Sequence, residues 1–258
     1  MPGVLKSKAM QKTTIKTLAA LTNRMYAEES THFNDTRTSA WAGWKECLAY
    51  VPTTKPLLVL DVGCGNGRFG TFLRENISVN REIVYVGIDT NLELLNFAKE
   101  SLKKNQHLSA TFVQLDLIER MLAEKLVFQS NRSYEVISLF GVMHHIPSVA
   151  LRTQLLHEVS QRLTPGGILV ISFWQFAEHE RFTKKVLEPS DHGVNSSDLE
   201  HGDFLLPWDA SESARYCHHA DAQEQKQLLE ETGLTILKTF SADGKTNNLN
   251  TYHILQRA

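Results

Sequence analysis

Residues 57–70 read Leu57-Leu58-Val59-Leu60-Asp61-Val62-Gly63-Cys64-Gly65-Asn66-Gly67-Arg68-Phe69-Gly70. The opening apolar run carries one acid, Asp61, and has no polar alternation. This is the pattern of a strand covered on both faces, as in a parallel sheet. The glycines let the backbone turn tightly at the strand's carboxyl end and let a ligand approach the main chain. The loop is specific in three respects. Its Gly-x-Gly-x-Gly spacing, with Arg68 next, does not meet the dinucleotide fingerprint Gly-x-Gly-x-x-Gly. It lacks the Gly-Lys-Ser/Thr of a phosphate-binding P-loop. And an acid stands two residues before its first glycine.

Outward from this loop, strand-like and helix-like segments alternate. Residues 69–76 form a short helix, and residues 83–88 a second strand that ends at Asp89. Residues 91–104 form a helix with Leu92, Leu95, Ala98 and Leu102 on one face. Residues 111–115 are a third strand ending at Asp116, and residues 135–140 a fourth. Ser148 caps a helix carrying Leu155, Val159 and Leu163. Thr164-Pro165-Gly166-Gly167 stops that helix, and residues 168–173 are a fifth strand. A helix over 222–232 ends at Gly233, and two alternating runs, 234–240 and 249–256, flank an Asp243-Gly244 turn. The pattern predicts an α/β fold: a doubly wound, mostly parallel seven-stranded sheet with a C-terminal antiparallel hairpin. Residues 1–56 predict an N-terminal helical cap before a domain of residues 57–258. The aperiodic stretch at about 176–221 predicts an insertion or lid.

Composition narrows the function classes. The chain has 258 residues, with 27 Lys/Arg against 29 Asp/Glu and a formal net charge of -2. That excludes a protein holding nucleic acid by bulk positive charge. The charge is unevenly placed: residues 1–56 carry eight basic and four acidic side chains, residues 177–232 five basic and thirteen acidic. An N-terminal face around Arg37 can approach RNA, whereas an acidic lid would repel phosphates and favour a small acceptor. Cys47, Cys64 and Cys217 form no Cys-x-x-Cys pair, so no metal site or disulfide scaffold is predicted. No apolar run reaches the roughly 18 residues of a membrane span, and the basic N-terminus lacks a secretory signal. A cytoplasmic protein is predicted.

The acids carry the ligand chemistry. A carboxylate at Asp89 can accept both hydroxyls of a ribose, and Asp116 can receive an adenine amino group while Leu117 and its neighbours sandwich the ring. One acid after each of three strands fits a cationic adenosine ligand better than a pyrophosphate, which wants positive charge and a free helix N-terminus. With these residues the chain resembles the class I S-adenosylmethionine-dependent methyltransferases over roughly residues 57–174. The family's first motif matches at 59–67, its ribose acid at Asp89 and its adenine acid at Asp116. Its motif after the fourth strand matches at Ser138-Leu139-Phe140-Gly141-Val142-Met143-His144-His145-Ile146, and a further turn at Leu163-Thr164-Pro165-Gly166-Gly167. The resemblance implies S-adenosyl-L-methionine as cofactor. Asp61 would orient the loop and the sulfonium side, and the backbone of Gly63, Cys64, Gly65, Asn66 and Gly67 would hold the methionine moiety. Tyr26, Arg37, Thr90, Asn91, Phe140 and His145 complete the implied cofactor set.

The flanks resemble a narrower group, the wobble-uridine tRNA methyltransferases that esterify carboxymethyluridine. The shared features are Tyr26, His32-Phe33, Thr36-Arg37, Trp41 and Trp44, then Gly202-Asp203, Pro207-Trp208 and Arg215-Tyr216-Cys217-His218. Ala42 stands where that group carries proline, and residues 167–202 diverge. The resemblance implies tRNA as substrate and a small zinc-binding activator protein as a partner. Other readings stand beside it: a methyltransferase for a small-molecule carboxyl, hydroxyl or amine acceptor, or a catalytically silent cofactor-binding subunit. A nicotinamide oxidoreductase is disfavoured by the glycine spacing. Phe140-Gly141-Val142-Met143 stands where exocyclic amino methylation uses Asn-Pro-Pro-Tyr.

Methyl transfer from a sulfonium asks the protein to position an acceptor and exclude water. A carboxylate acceptor needs a cationic clamp; a phenol or amine needs a base with a pKa near neutral. The candidate clamp and base residues are Arg37, His144, His145 and Arg215. His144 reads either as a site residue or as a packed strand-end residue. His218 and His219 read as exposed loop residues, and Trp41 and Trp44 as core packing.

Overall fold

The computed structural model describes residues 9–103, 107–128, 131–208 and 213–258; Lys6, Lys8 and Lys104 lie outside them. The chain opens with helices α1 (Lys12–Glu28), α2 (Ser30–Thr36) and α3 (Gly43–Cys47). Strand β1 (Leu57–Val62) then begins an alternation with α4 (Arg68–Asn76), β2 (Ile83–Asp89), α5 (Leu92–Leu102), β3 (Leu108–Gln114) and α6 (Leu117–Leu122). It continues through β4 (Tyr134–Leu139), α7 (Val149–Ser160) and β5 (Leu163–Trp174). The late part comprises α8 (Glu180–Thr183), β6 (Asp203–Pro207), β7 (Ala214–His218), α9 (Ala222–Glu230), β8 (Thr235–Ala242) and β9 (Asn250–Gln256).

Seven strands form one sheet in the order β3-β2-β1-β4-β5-β9-β8. The first five are parallel; β9 runs antiparallel between β5 and β8. The strand order reverses between β1 and β4, so a crevice opens past their carboxyl ends. Alternate side chains of β1 enter opposite cores, which is why its sequence is apolar throughout. Leu60 and Val62 pack with Leu18 of α1, Met121 of α6 and Leu155 of α7. Leu57 and Val59 pack on the other face with Trp44, Phe69, Phe72 and Leu73. Burying each such aliphatic side chain contributes about 1.5–3 kcal/mol.

The C-terminal hairpin turns where expected, with Asp243 and Gly244 both at positive φ. Three local details differ from the sequence reading. Strand β5 starts at Leu163, not after the glycines. Leu163 pairs with Tyr134, the register shifts, and pairing resumes at Ile168 with Val136. The main chain of Arg257 bonds both Gly166 and Gly167, drawing the expected turn into the ladder. Helix α6, capped by the Asp116 carboxylate, is too short to show periodicity. The stretch at 176–221 contains the antiparallel pair β6–β7. Strand β7 packs beneath α1, where the Tyr216 amide donates to the Thr22 hydroxyl at 3.1 Å. Among the described residues no helix is long and apolar enough to cross a membrane.

Candidate active site

The turn after β1 is fixed from the neighbouring strand: the amides of Gly63 and Cys64 both donate to the Ile88 carbonyl, at 2.8 and 2.9 Å. Asp61, at the end of β1, is buried and accepts from the Tyr85 hydroxyl at 2.5 Å and the Ser138 hydroxyl at 2.7 Å. Burial pushes its carboxyl up to about 6, against the pull of these two bonds. Asp89 accepts from the amides of Gly65 (2.8 Å) and Asn91 (2.9 Å), and burial raises its pKa too. Asp116 accepts from the Glu119 amide at 2.9 Å and from the Asn23 side chain at 3.1 Å.

The N-terminal helices close over this acidic side. Asn91 caps α5 through the Leu94 amide and donates to the Tyr26 carbonyl at 2.8 Å. Asn66 donates to the Asn34 side chain and to the Arg37 carbonyl, both at 3.1 Å. Thr90 donates to the Leu115 carbonyl. The enclosed cavity has a volume of about 1050 Å³, at the upper end of the roughly 300–1,000 Å³ typical of ligand sites. It has room for an adenosyl ligand and an acceptor group together. Every candidate cofactor, clamp and base residue lines it except Gly67, which sits under the turn as the cap of α4; of the late motifs, Asp203, Tyr216, Cys217 and His218 do not line it.

The wall beyond β4 is built differently. His145 lies with Nδ1 2.9 Å from the Tyr216 carbonyl and Nε2 3.1 Å from the Tyr26 hydroxyl. A carbonyl only accepts, so Nδ1 carries the proton and Nε2 accepts from Tyr26. Burial, with Arg215 nearby, pushes His145 down to about 3; burial, with His145 and Arg215, lowers His144 as well. Neither imidazole is a charged group or a poised base at neutral pH. Arg215 lies between two indoles, 5.0 Å from the Trp174 ring and 4.8 Å from the Trp208 ring. Arg37 sits 5.0 Å from that same Trp208 ring.

Buried polar atoms without a hydrogen-bond partner cluster on this wall: Arg215 Nε, His144 Nδ1, Trp208 Nε1 and Trp44 Nε1, all from cavity-lining residues. Orphaned buried groups are costly; two others, His179 Nε2 and His219 Nε2, lie outside the cavity lining. The cavity holds carboxylates past β1, β2 and β3, with Arg68 near Asp61, and guanidiniums past β5 and on β7, with Asp243 also in the lining. That suits a cationic adenosyl ligand at one end and an anion at the other.

Several lining residues escaped the sequence reading. Trp174 ends β5, a strand-end position that faces the crevice in such sheets. Trp208 belongs to the quoted Pro-Trp pair without having been placed in the site. Trp44 is core, as expected, but Trp41 stacks on it at 5.6 Å and faces the cavity. Arg68 and Arg181 also line the cavity. His218 corrects an expectation: it is 2% exposed, not a surface loop residue.

A methyltransferase-domain family model matches residues 60–169. The tRNA (carboxymethyluridine(34)-5-O)-methyltransferase ALKBH8 of Mus musculus is 25% identical over 162 residues, covering 63% of this chain and 21% of the relative. A probable tRNA methyltransferase 9B of Homo sapiens is 24% identical, covering 72% of this chain and 32% of the relative. A putative methyltransferase of Encephalitozoon cuniculi is 25% identical over 83% of this chain and 87% of its own. The chain thus spans about a fifth of the ALKBH8 relatives' length. Among solved structures, an S-adenosylmethionine-dependent methyltransferase from Methanosarcina mazei superposes with a TM-score of 0.62 at 20% identity, over 82% of this chain and 96% of its own. One from Clostridium acetobutylicum gives 0.62 at 12% identity, over 90% and 99%. The seven-stranded fold is that of the S-adenosylmethionine-dependent methyltransferases, and residues 60–169 carry the match to a methyltransferase domain.

Proposed function

We propose that this enzyme methylates a carboxylate, and that the carboxylate is carried by a modified wobble uridine of tRNA. The observation that carries the chemical half is Arg215. Its guanidinium lines the cavity 5.0 Å from the Trp174 ring and 4.8 Å from the Trp208 ring, and its buried Nε has no hydrogen-bond partner, in a cavity where both histidines are neutral. Such a site favours an acceptor that is already anionic and needs no proton removed. S-adenosylmethionine, when bound, supplies a methyl group on a sulfonium, ready for in-line displacement by an oxygen. Arg215 and Arg37 hold the acceptor; the aromatic wall of Phe33, Trp41, Trp174 and Trp208 excludes water.

The polynucleotide half is supported by the mouse relative, a tRNA carboxymethyluridine methyltransferase. The acidic late segment opposes it less than its composition suggested. Glu200, Asp203 and Glu224 are turned inward onto Arg152 and His218, while Arg181 and Arg215 line the cavity. The test uses labelled S-adenosylmethionine with total tRNA and with a panel of small carboxylic acids. Label is expected in tRNA and is expected to leave as methanol under mild alkali, as an ester does. Incorporation into the small acids alone, or alkali-stable label in tRNA, would overturn the reading.

Asp61 gives a pH prediction. Its folded pKa is raised, so its contribution to stability of the ligand-free protein is full below the unfolded value of 3.8 and is lost as pH rises through about 6. A cationic ligand favours the carboxylate form, so cofactor binding has the opposite slope. Affinity for S-adenosylmethionine is expected to rise severalfold from about pH 5 to about pH 8, and Asp61→Asn to flatten the rise. Calorimetric titration at both ends of the range decides it: an unchanged slope in Asp61→Asn removes Asp61 as its source.

A further inference from the structure

A buried ion network lies directly behind the cationic wall. Arg152 of α7 is 1% exposed and donates to Glu200 at 2.8 Å and to Glu224 of α9 at 3.0 Å. Its third bond, at 3.0 Å, goes to the carbonyl of Ile146, the residue after His145. On the other side, Asp203 of β6 accepts from the Tyr216 hydroxyl at 2.6 Å. His218 joins the two halves. Its Nδ1 is 2.7 Å from Asp203 and its Nε2 is 2.8 Å from Glu224. Both ring nitrogens face carboxylate oxygens, so both donate, and the ring is an imidazolium.

This places the network across one particular hydrogen bond. His145 Nδ1 donates to the Tyr216 carbonyl, from the turn after β4 to strand β7. Arg152 grips the first segment through Ile146; Asp203 and His218 grip the second. Arg215 is the residue before Tyr216, so whatever sets the seating of β7 sets the guanidinium as well.

We propose that His218 is a positioning residue for methyl transfer: as an imidazolium bridging Asp203 to Glu224, it seats β7 so that the Tyr216 carbonyl fixes the tautomer of His145 and Arg215 stays between its tryptophans. This rests on the reading of Arg215 and His145 as acceptor-side groups.

The charge environment fits. Asp203, Glu224 and Arg152 act on His218 directly, Glu200 and Tyr216 abut the network, and His144 and His219 feel its charge. Burial opposes a charged ring, yet the bonds to Asp203 and Glu224 outweigh it and raise the pKa above the usual histidine value. The seating is therefore complete on the acid side and is lost as pH rises through that raised pKa.

The test uses the full chain, labelled with nitrogen-15 in histidine and saturated with S-adenosylmethionine. Long-range nitrogen–proton NMR spectra report the tautomer of each ring. His145 is expected to be a single Nδ1–H tautomer at neutral pH and to become a tautomer mixture at the midpoint where His218 loses its proton. His218→Asn is expected to show that mixture at every pH, with kcat about tenfold lower and KM for S-adenosylmethionine unchanged. Glu224→Gln leaves Arg152 its Glu200 partner, so it serves if His218→Asn does not fold; its His145 transition is expected at lower pH. A His145 tautomer unmoved by the His218 titration and by the variants that fold overturns the proposal. If wild-type protein leaves tRNA unmethylated while His145 still tracks His218, the tRNA reading fails and the positioning role stands.

Discussion

Arg215→Ala is expected to lower the rate of methyl transfer about a hundredfold or more while S-adenosylmethionine still binds with near-normal affinity. Arg215 is 9% exposed and its guanidinium lies within 5.0 Å of two indole rings, so little water competes for its charge. Losing one partner of a desolvated, charge-assisted pair costs about 2–5 kcal/mol, each 1.4 kcal/mol being a factor of ten. The carboxylates proposed for the cofactor lie past β1, β2 and β3, on the other side of β4, so the substitution leaves them in place. Arg215→Lys retains the charge but loses the planar fork and the stacking, and is expected to fall between the two. Steady-state kinetics with tRNA, paired with calorimetry for the cofactor, separates the effects. Equal losses of turnover and cofactor affinity would place Arg215 on the wrong ligand.

What was legible in the sequence follows from where each signal resides. Strands β1, β2, β4 and the main run of β5 are buried on both faces, so their sequences are plain apolar runs, whereas β3 lies at the sheet edge and is mixed. The candidate ligand acids Asp61, Asp89 and Asp116 stand at the ends of β1, β2 and β3. Ser148, Gly233 and Asp243-Gly244 each announce a cap or turn through local chemistry alone. The late hairpin β6–β7 was not legible, because its buried positions include Arg215 and His218. A strand is recognised by apolar alternation, and here polar side chains fill inward positions. They are tolerated because Asp203, Glu224, Trp174 and Trp208 supply partners from other parts of the chain. His218 read as a loop residue for the same reason. Its ring is satisfied by α9 and β6, and Arg152 of α7, which completes the network, is 66 positions away. The acidic bias of this region misled in the same way: composition counts charges, and only the fold shows that Glu200 and Glu224 are turned onto buried Arg152 and Asp203 onto buried His218.

Gly63→Ala is expected to cost both stability and cofactor binding, by two separable routes. Gly63 has φ +71°, a region where a side chain costs about 1–2 kcal/mol. A Cβ built there would also lie 2.4 Å from Cγ2 of Val142, so the Val142 side chain or one of the two backbones has to move. Overpacking of this kind costs about 1–3 kcal/mol more. Together these lower the melting temperature by roughly 5–15 °C. The displaced segments are the ones that matter. On one side the Gly63 and Cys64 amides hold the turn to Ile88; on the other, Val142 sits between Phe140 and His144-His145. Affinity for S-adenosylmethionine is therefore expected to fall more than tenfold. Val142→Ala opens the space without relieving φ. In a double-mutant cycle it should restore about half of the lost stability and leave the remainder. Strict additivity of the two substitutions would mean that the turn accommodates the methyl elsewhere. Complete rescue would mean that the backbone at Gly63 tolerates a side chain, and that the glycine is there only to let Val142 approach.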